Sequence, residues 1–237
     1  MKLINKPVVL LVFSLVLLLS IGSVCASDDI GVSDIDNSDL GVSSLSEVPV
    51  DDNNVNNLGA NPGSFSDLQT LIDDTSSGAT LDLSDDYSFN QDTDDAEGIS
   101  ITKDITINGN GHTLDGKNLA RIFNISGSIV TINNLNFVNG FCDDVVSGGY
   151  YQEECGPAIY GNCSDLTLNN CTFVNNHAAT EDHYWYSYGA VFVENGDIVA
   201  SGCSFVNNSA DYGGAIYCEY GNLTLENCSF VNNSAVE

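Results

Sequence analysis

One short phrase recurs four times along this chain: NNLNFVNG at 133–140, NNCTFVNN at 169–176, SGCSFVNN at 201–208 and ENCSFVNN at 226–233. Repetition at such a period means that each copy builds one unit and that the units stack, since a unit this short cannot bury its own apolar face. With Phe137, Phe173, Phe205 and Phe230 aligned, Ile122, Ala158, Ala190 and Ala215 fall fifteen residues upstream. Val130, Leu166, Ile198 and Leu223 fall at one shared offset inside the block, and Ile132, Leu168, Ala200 and Leu225 at another. No block needs a gap. All length variation lies between blocks, where 20, 16 and 9 residues intervene, and the shortest full repeat runs 25 residues from Ala190 to Ala215.

Each block opens on an apolar run such as GAVFV (189–193) or GAIYC (214–218), bends at Gly or Asn, and continues as an alternating strand such as LTL (223–225). Alternation places Leu223 and Leu225 on one face and Thr224 on the other. Asn169-Asn170 then breaks the parity, after which Cys171 and Phe173 share a face. Short strands separated by bends, at about 25 residues per turn, suit a right-handed single-stranded parallel β-helix, in which equivalent residues stack at about 4.8 Å. The Phe, Leu/Ile and Cys/Leu columns are expected inside. The columns Asn175/Asn207/Asn232 and Asn176/Asn208/Asn233 are both expected to form amide ladders at a turn. The LxxLxLxxN spacing of a leucine-rich horseshoe is absent.

The chain ahead of the repeats divides by composition. Lys2 and Lys6 precede an apolar run from Val8 to Leu19, and Val24-Cys25-Ala26 offers small residues before a cut, so 1–26 reads as a signal peptide. The run is short for a membrane span, and no membrane insertion is expected after cleavage. Residues 27–60, rich in Asp, Ser, Asn and Gly, read as an acidic disordered spacer. Residues 61–97 read as an N-terminal cap. In SFSDLQTLIDD (64–74), Phe65, Leu68, Leu71 and Ile72 fall on one helical face, Ser64 with Asp67 makes a capping box, and Gly78 is expected to end the helix. A solenoid needs such a cap over its first coil. Residues 98–237 are the coils, and the last one, ending in VNNSAVE, has no cap of its own in this sequence. It is therefore a candidate surface for self-association.

The GGAI (213–216) and FVNN (205–208, 230–233) motifs resemble the repeats of polymorphic outer-membrane proteins, with GPAI (156–159) and YGAV (188–191) as degenerate versions. The layout of leader, acidic spacer, cap, NGNGHTLDG and NCSFVNN coils looks closer still to adhesin-like right-handed β-helix proteins of methanogenic archaea. The resemblance covers about 61–237. It implies an all-β, pectin-lyase-like solenoid with a helical cap, located extracellularly, secreted or at the cell surface. It selects no activity, because such folds host adhesins, polysaccharide lyases and glycosidases alike.

The charge narrows the partners. Asp and Glu number 33 against five Lys and Arg, a formal net charge of −28, which argues against nucleic acid and anionic membranes. Catalysis has little to select it. The acidic clusters Asp143-Asp144, Glu153-Glu154 and Glu181-Asp182-His183 lie in insertions, and Lys103, Lys117 and Arg121 sit near the cap. A lyase needs a well-placed cation and a glycosidase a spaced carboxylate pair. The reading is therefore not an enzyme, with a polysaccharide lyase or glycoside hydrolase as the alternative and a purely structural stalk as a third. No cofactor is implied, although the acidic insertions leave Ca²⁺ open. The two longest insertions, 141–156 and 177–188, leave successive coils at the same corner. They carry Phe141, Tyr150, Tyr151, Tyr184, Trp185, Tyr186 and Tyr188, residues suited to stacking on sugars or proteins. Extracellular carbohydrate or a surface protein is the expected partner; the alternative is that these aromatics cover the solenoid flank.

Cys171, Cys203 and Cys228 share a column with Leu135, which favours a buried apolar role. Stacked coils also permit a Cys203–Cys228 bridge, and Cys142 and Cys155 can staple the insertion they bracket. No CxxC spacing for a metal occurs. Of seven Asn-x-Ser/Thr triplets, Asn124, Asn162 and Asn222 are the candidate glycosylation sites, the others being assigned to ladders or repeat wording.

Overall fold

The computed structural model describes residues 62–143, 145–146, 150–151, 155–179 and 187–236. The expected signal peptide and spacer lie outside the described residues.

One coil contributes a strand to each of four parallel sheets. The coil containing the second phrase runs through Ile159–Asn162, Asp165–Asn169, Thr172–Val174 and His177–Ala179. In that order along the coil, the four sheets hold five, six, seven and four strands. Every pairing in them is parallel and in register. Phe123, Ile159, Val191 and Ile216 stack in the first sheet, Val130, Leu166, Ile198 and Leu223 in the second, and the four repeat phenylalanines in the third. Strands adjacent in a sheet are one full coil apart in sequence, which makes the molecule a right-handed parallel β-helix.

The core follows from alternation. The Phe137–Phe173, Phe173–Phe205 and Phe205–Phe230 ring pairs stack at 4.7, 4.7 and 5.0 Å, tilted by no more than 5°. In-register stacking forces parallel rings here, because each backbone simply repeats the one below it. Burying each ring stabilises by roughly 1.5–3 kcal/mol.

The parity break now has a cause. Each corner of a coil is turned by one residue in the left-handed region: Cys163, Asn170 and Asn175 in one coil, Asn195, Gly202 and Asn207 in the next, and Tyr220, Asn227 and Asn232 in the last, with φ from 50° to 65°. Asparagine dominates because its short side chain tolerates this conformation better than other L-residues. One such residue also flips which face the following side chains point to, so that Leu168 and Cys171 both face inward.

This corrects one expectation. Asn175, Asn207 and Asn232 are corner residues, not a ladder. The column beside them is the ladder: Asn176 and Asn208 are fully buried, Asn176 Nδ2 donates to Asn208 Oδ1 at 3.0 Å, and Asn208 Nδ2 donates to Asn233 Oδ1 at 2.8 Å. The same amides donate to the carbonyls of Phe137, Phe173 and Phe205. A second ladder, Asp82–Asn108–Asn133–Asn169, runs along the second sheet.

The helix Phe65–Asp74 starts at the Ser64/Asp67 capping box. Its N-terminal Phe65 and Ser66 amides also donate to Asp94. Phe65, Leu68 and Ile72 join the solenoid core and close its first coil. Leu71 is 40% exposed, because the buried stripe at positions 65, 68 and 72 leaves position 71 at its edge. The helix ends at Thr75, not at Gly78; the Thr75 hydroxyl caps the Leu71 carbonyl, and Gly78 turns the link to the next strand with φ 77°.

Cys203 and Cys228 are unpaired, as is Cys171. Coils in register keep equivalent Cα–Cβ vectors parallel, whereas a disulfide needs them converging. The Sγ atoms lie instead near backbone carbonyls, Cys203 by Leu168 and Cys228 by Ala200. The neighbouring Cys203 thiol, aided by burial, pushes Cys171 up, and the Cys171 thiol in turn draws Cys203 down. Solvent reaches neither.

Candidate functional site

Both long insertions lie between a fourth-sheet strand and the next first-sheet strand, so they emerge along one edge of the solenoid. The first is fastened at its base by the Cys142–Cys155 disulfide, whose Cα atoms are 5.9 Å apart. Within it, Val145–Val146 pairs antiparallel with Tyr150–Tyr151. The Tyr188 amide donates to the Cys155 carbonyl at 3.0 Å, so the bases of the two insertions are bonded to each other. The second base is also locked to the following coil. Ser187 N–H donates to Asp211 Oδ2 at 3.1 Å, Asp211 N–H donates to Ser187 Oγ at 2.9 Å, and Tyr188 bridges Tyr212.

The seven aromatic candidates part company in the structure. Tyr184, Trp185 and Tyr186 lie outside the described residues, and of Tyr150 and Tyr151 only the backbone is described. Phe141 lies on the fourth sheet, its ring 4.9 Å from His177; burial pushes the His177 pKa down. Tyr188 reaches an aromatic assembly on the outer face of the first sheet. The remaining acidic insertion residues, Asp144, Glu153, Glu154, Glu181 and Asp182, also lie outside the described residues.

That assembly contains residues the sequence reading passed over. On the first-sheet strands the positions between core residues point outward, and there Asn124, Tyr160, Phe192 and Tyr217 form one register column. Tyr188 packs over it, 4.5 Å from Phe192 and 4.7 Å from Tyr217, and Tyr212 stands 5.8 Å from Tyr188. Tyr160 is 5.5 Å from Phe192, and the Arg121 guanidinium caps its far side, 5.1 Å from the ring centre and 3.6 Å from Glu97. Phe192 is buried beneath this layer, while Tyr188, Tyr212 and Tyr217 are half-buried. Glu194 and Glu219 pair in register two residues further along the same strands. Tyr220, 78% exposed, occupies the next corner. The signal in the sequence was the aromatic at the second position of each opening run, as in IYG, VFV and IYC, but a run buried on one face only looks the same as one buried on both.

The short link into the last coil has no room for side chains: a Cβ on Gly214 would collide with the Ser234 carbonyl. This is the physical content of the Gly-Gly-Ala-Ile motif.

The three cations of the described chain are all engaged in structure. Lys103 Nζ donates to the Asp73 and Thr75 carbonyls at the helix end, Lys117 pairs with Asp115 at 3.1 Å, and Arg121 sits as described. The Asn162 carboxamide donates to Tyr160 Oη at 3.2 Å and that of Asn222 to Asp197 at 3.0 Å.

Fold and site together define a parallel β-helix with an aromatic strip on one outer face. Among known protein families, the Chlamydia polymorphic membrane protein repeat matches residues 202–219, a span that covers most of one coil. A repeat of this type suggests a surface-exposed, adhesin-like protein. No curated protein and no solved structure matches the chain.

Proposed function

We propose that the protein is exported by a cleaved leader and acts at the cell surface as an adhesin-like binder of extracellular carbohydrate. The aromatic strip of Tyr188, Tyr212 and Tyr217 over Phe192, at the bonded bases of the two insertions, carries this reading. Half-buried tyrosines offer flat apolar faces with hydroxyl tips, which suit the apolar faces and hydroxyl edges of sugar rings. Glu194 and Glu219 lie alongside to accept hydroxyl hydrogen bonds. Engagement of all three cations in structural contacts favours binding over lyase chemistry. The test is glycan-array binding of residues 27–237, followed by titration with Trp185 fluorescence as readout. Tyr217→Ala is expected to weaken binding at least tenfold while Leu119→Ala, on the exposed surface near the cap, leaves it unchanged. Failure to bind any glycan, or wild-type affinity in Tyr217→Ala, refutes the assignment; a surface protein bound in place of a glycan refutes the ligand class alone.

A further inference from the structure

The corners between the second, third and fourth sheets hold chemistry that the aromatic strip does not use. Asn170, Asn207, Asn227 and Asn232 each turn a corner in the left-handed region, with φ of 52–54°, and each begins an Asn-x-Ser/Thr triplet. All four are exposed. Among the described residues none of their carboxamides makes a hydrogen bond. Their neighbours differ. Asn176 and Asn208 are buried in the ladder, the Asn162 and Asn222 amides donate to Tyr160 and Asp197, and Asn124 is half-buried beside Tyr160 in the outer column of the first sheet.

We propose that Asn170, Asn207, Asn227 and Asn232 are the acceptors of N-linked glycans. The reading rests on the proposed export, because the donor is a lipid-phosphate-linked oligosaccharide presented outside the cell membrane. In the transfer, Nδ2 attacks the anomeric carbon of that donor. A carbon–nitrogen bond forms, the anomeric carbon–oxygen bond to phosphate breaks, the lipid phosphate departs with the bonding pair, and one amide proton is released to a base of the transferring enzyme. A hydroxyl stands two residues on in every case: Thr172, Ser209, Ser229 and Ser234. Such a glycan persists only where the folded chain leaves its asparagine outside, and the left-handed corner does that. Burying the amide in a ladder would leave both the sugar and the backbone carbonyls without room.

The placement has a consequence. Asn170 and Asn227 share one corner with Gly202 between them, so they stand roughly 10 Å apart at two coil spacings. Asn207 and Asn232 occupy the next corner on adjacent coils. The two corners flank the outer face of the third sheet, so glycans jacket that side and leave the first sheet, with its aromatic strip, open for binding.

Peptide mapping by mass spectrometry, on protein recovered from its native cells after surface and interior fractions are separated, tests the assignment. The expected result is glycan mass on the Asn170, Asn207, Asn227 and Asn232 peptides, with Asn162 and Asn222 unmodified. Ser209→Ala and Ser234→Ala should each remove one glycan without touching a corner residue, and Ser209→Thr should restore it. Surface protein that carries no glycan, or carries it only at Asn162 or Asn222, overturns the proposal while leaving the adhesin reading intact. Protein confined to the cell interior overturns both.

Discussion

Two adjacent asparagines, identical in chemistry, should respond to substitution in opposite ways. Asn208 is fully buried. Its Nδ2 donates to Phe173 O at 3.0 Å and Asn233 Oδ1 at 2.8 Å, and its Oδ1 accepts from the Asn176 backbone and side-chain amides at 3.0 Å each. Asn208→Ala deletes all four bonds. The Asn233 end is half-buried and can rehydrate, but Phe173 O and both Asn176 donors stay in the dry interior. At about 1–3 kcal/mol per orphaned group, and with partial relaxation, the cost is roughly 3–6 kcal/mol. Asn207 is exposed at φ 54°. Asn207→Gly keeps the corner and should change stability by less than about 0.5 kcal/mol, whereas Asn207→Ala should cost about 1 kcal/mol, because alanine lacks asparagine's tolerance of the left-handed region. Urea unfolding of residues 27–237, followed by far-ultraviolet circular dichroism, ranks the three variants by midpoint. Equal losses at the two positions, or tolerance of Asn208→Ala, would refute the division of labour between corner and ladder.

Three further outcomes are expected. With Ellman's reagent, exposed Cys163 should react readily and Cys171 and Cys203 only as the chain unfolds; rapid native labelling of Cys171 or Cys203 would mean that the column is not packed. Burial pushes the Asp94 carboxyl up, but hydrogen bonds from Ser66, Asn90 and Phe65 outweigh it and hold it below its usual 3.8. The cap contribution is thus complete above about pH 4 and lost as pH falls through the lowered native value, and the acid limb of melting temperature against pH should flatten in Asp94→Asn. In the last coil Leu225 and Val231 are 36% and 39% exposed and Phe230 is only partly buried. Residues 27–237 should therefore self-associate in sedimentation experiments and Leu225→Lys should weaken this, whereas a monomer at high concentration refutes it.

Sequence alone determined the coil. The phrase spacing placed Phe137, Phe173, Phe205 and Phe230 in one column, because in-register stacking makes sequence period and spatial period the same thing. It also located the helix over residues 64–74 and the shared edge of the two insertions, since capping chemistry and block lengths are local properties. Three things were left to the tertiary structure. Asn207 and Asn208 are indistinguishable as letters, and only the sign of φ separates a corner from a ladder. Cys203 and Cys228 were close enough to bridge on spacing, but the parallel direction of their Cβ vectors is a property of stacked coils. The aromatic strip of Tyr160, Phe192 and Tyr217 was invisible because each residue sits in a run that reads as core. Its exposure depends on which sheet face the coil turns outward, and on Tyr188 and Tyr212 arriving there from links 24 residues apart in sequence.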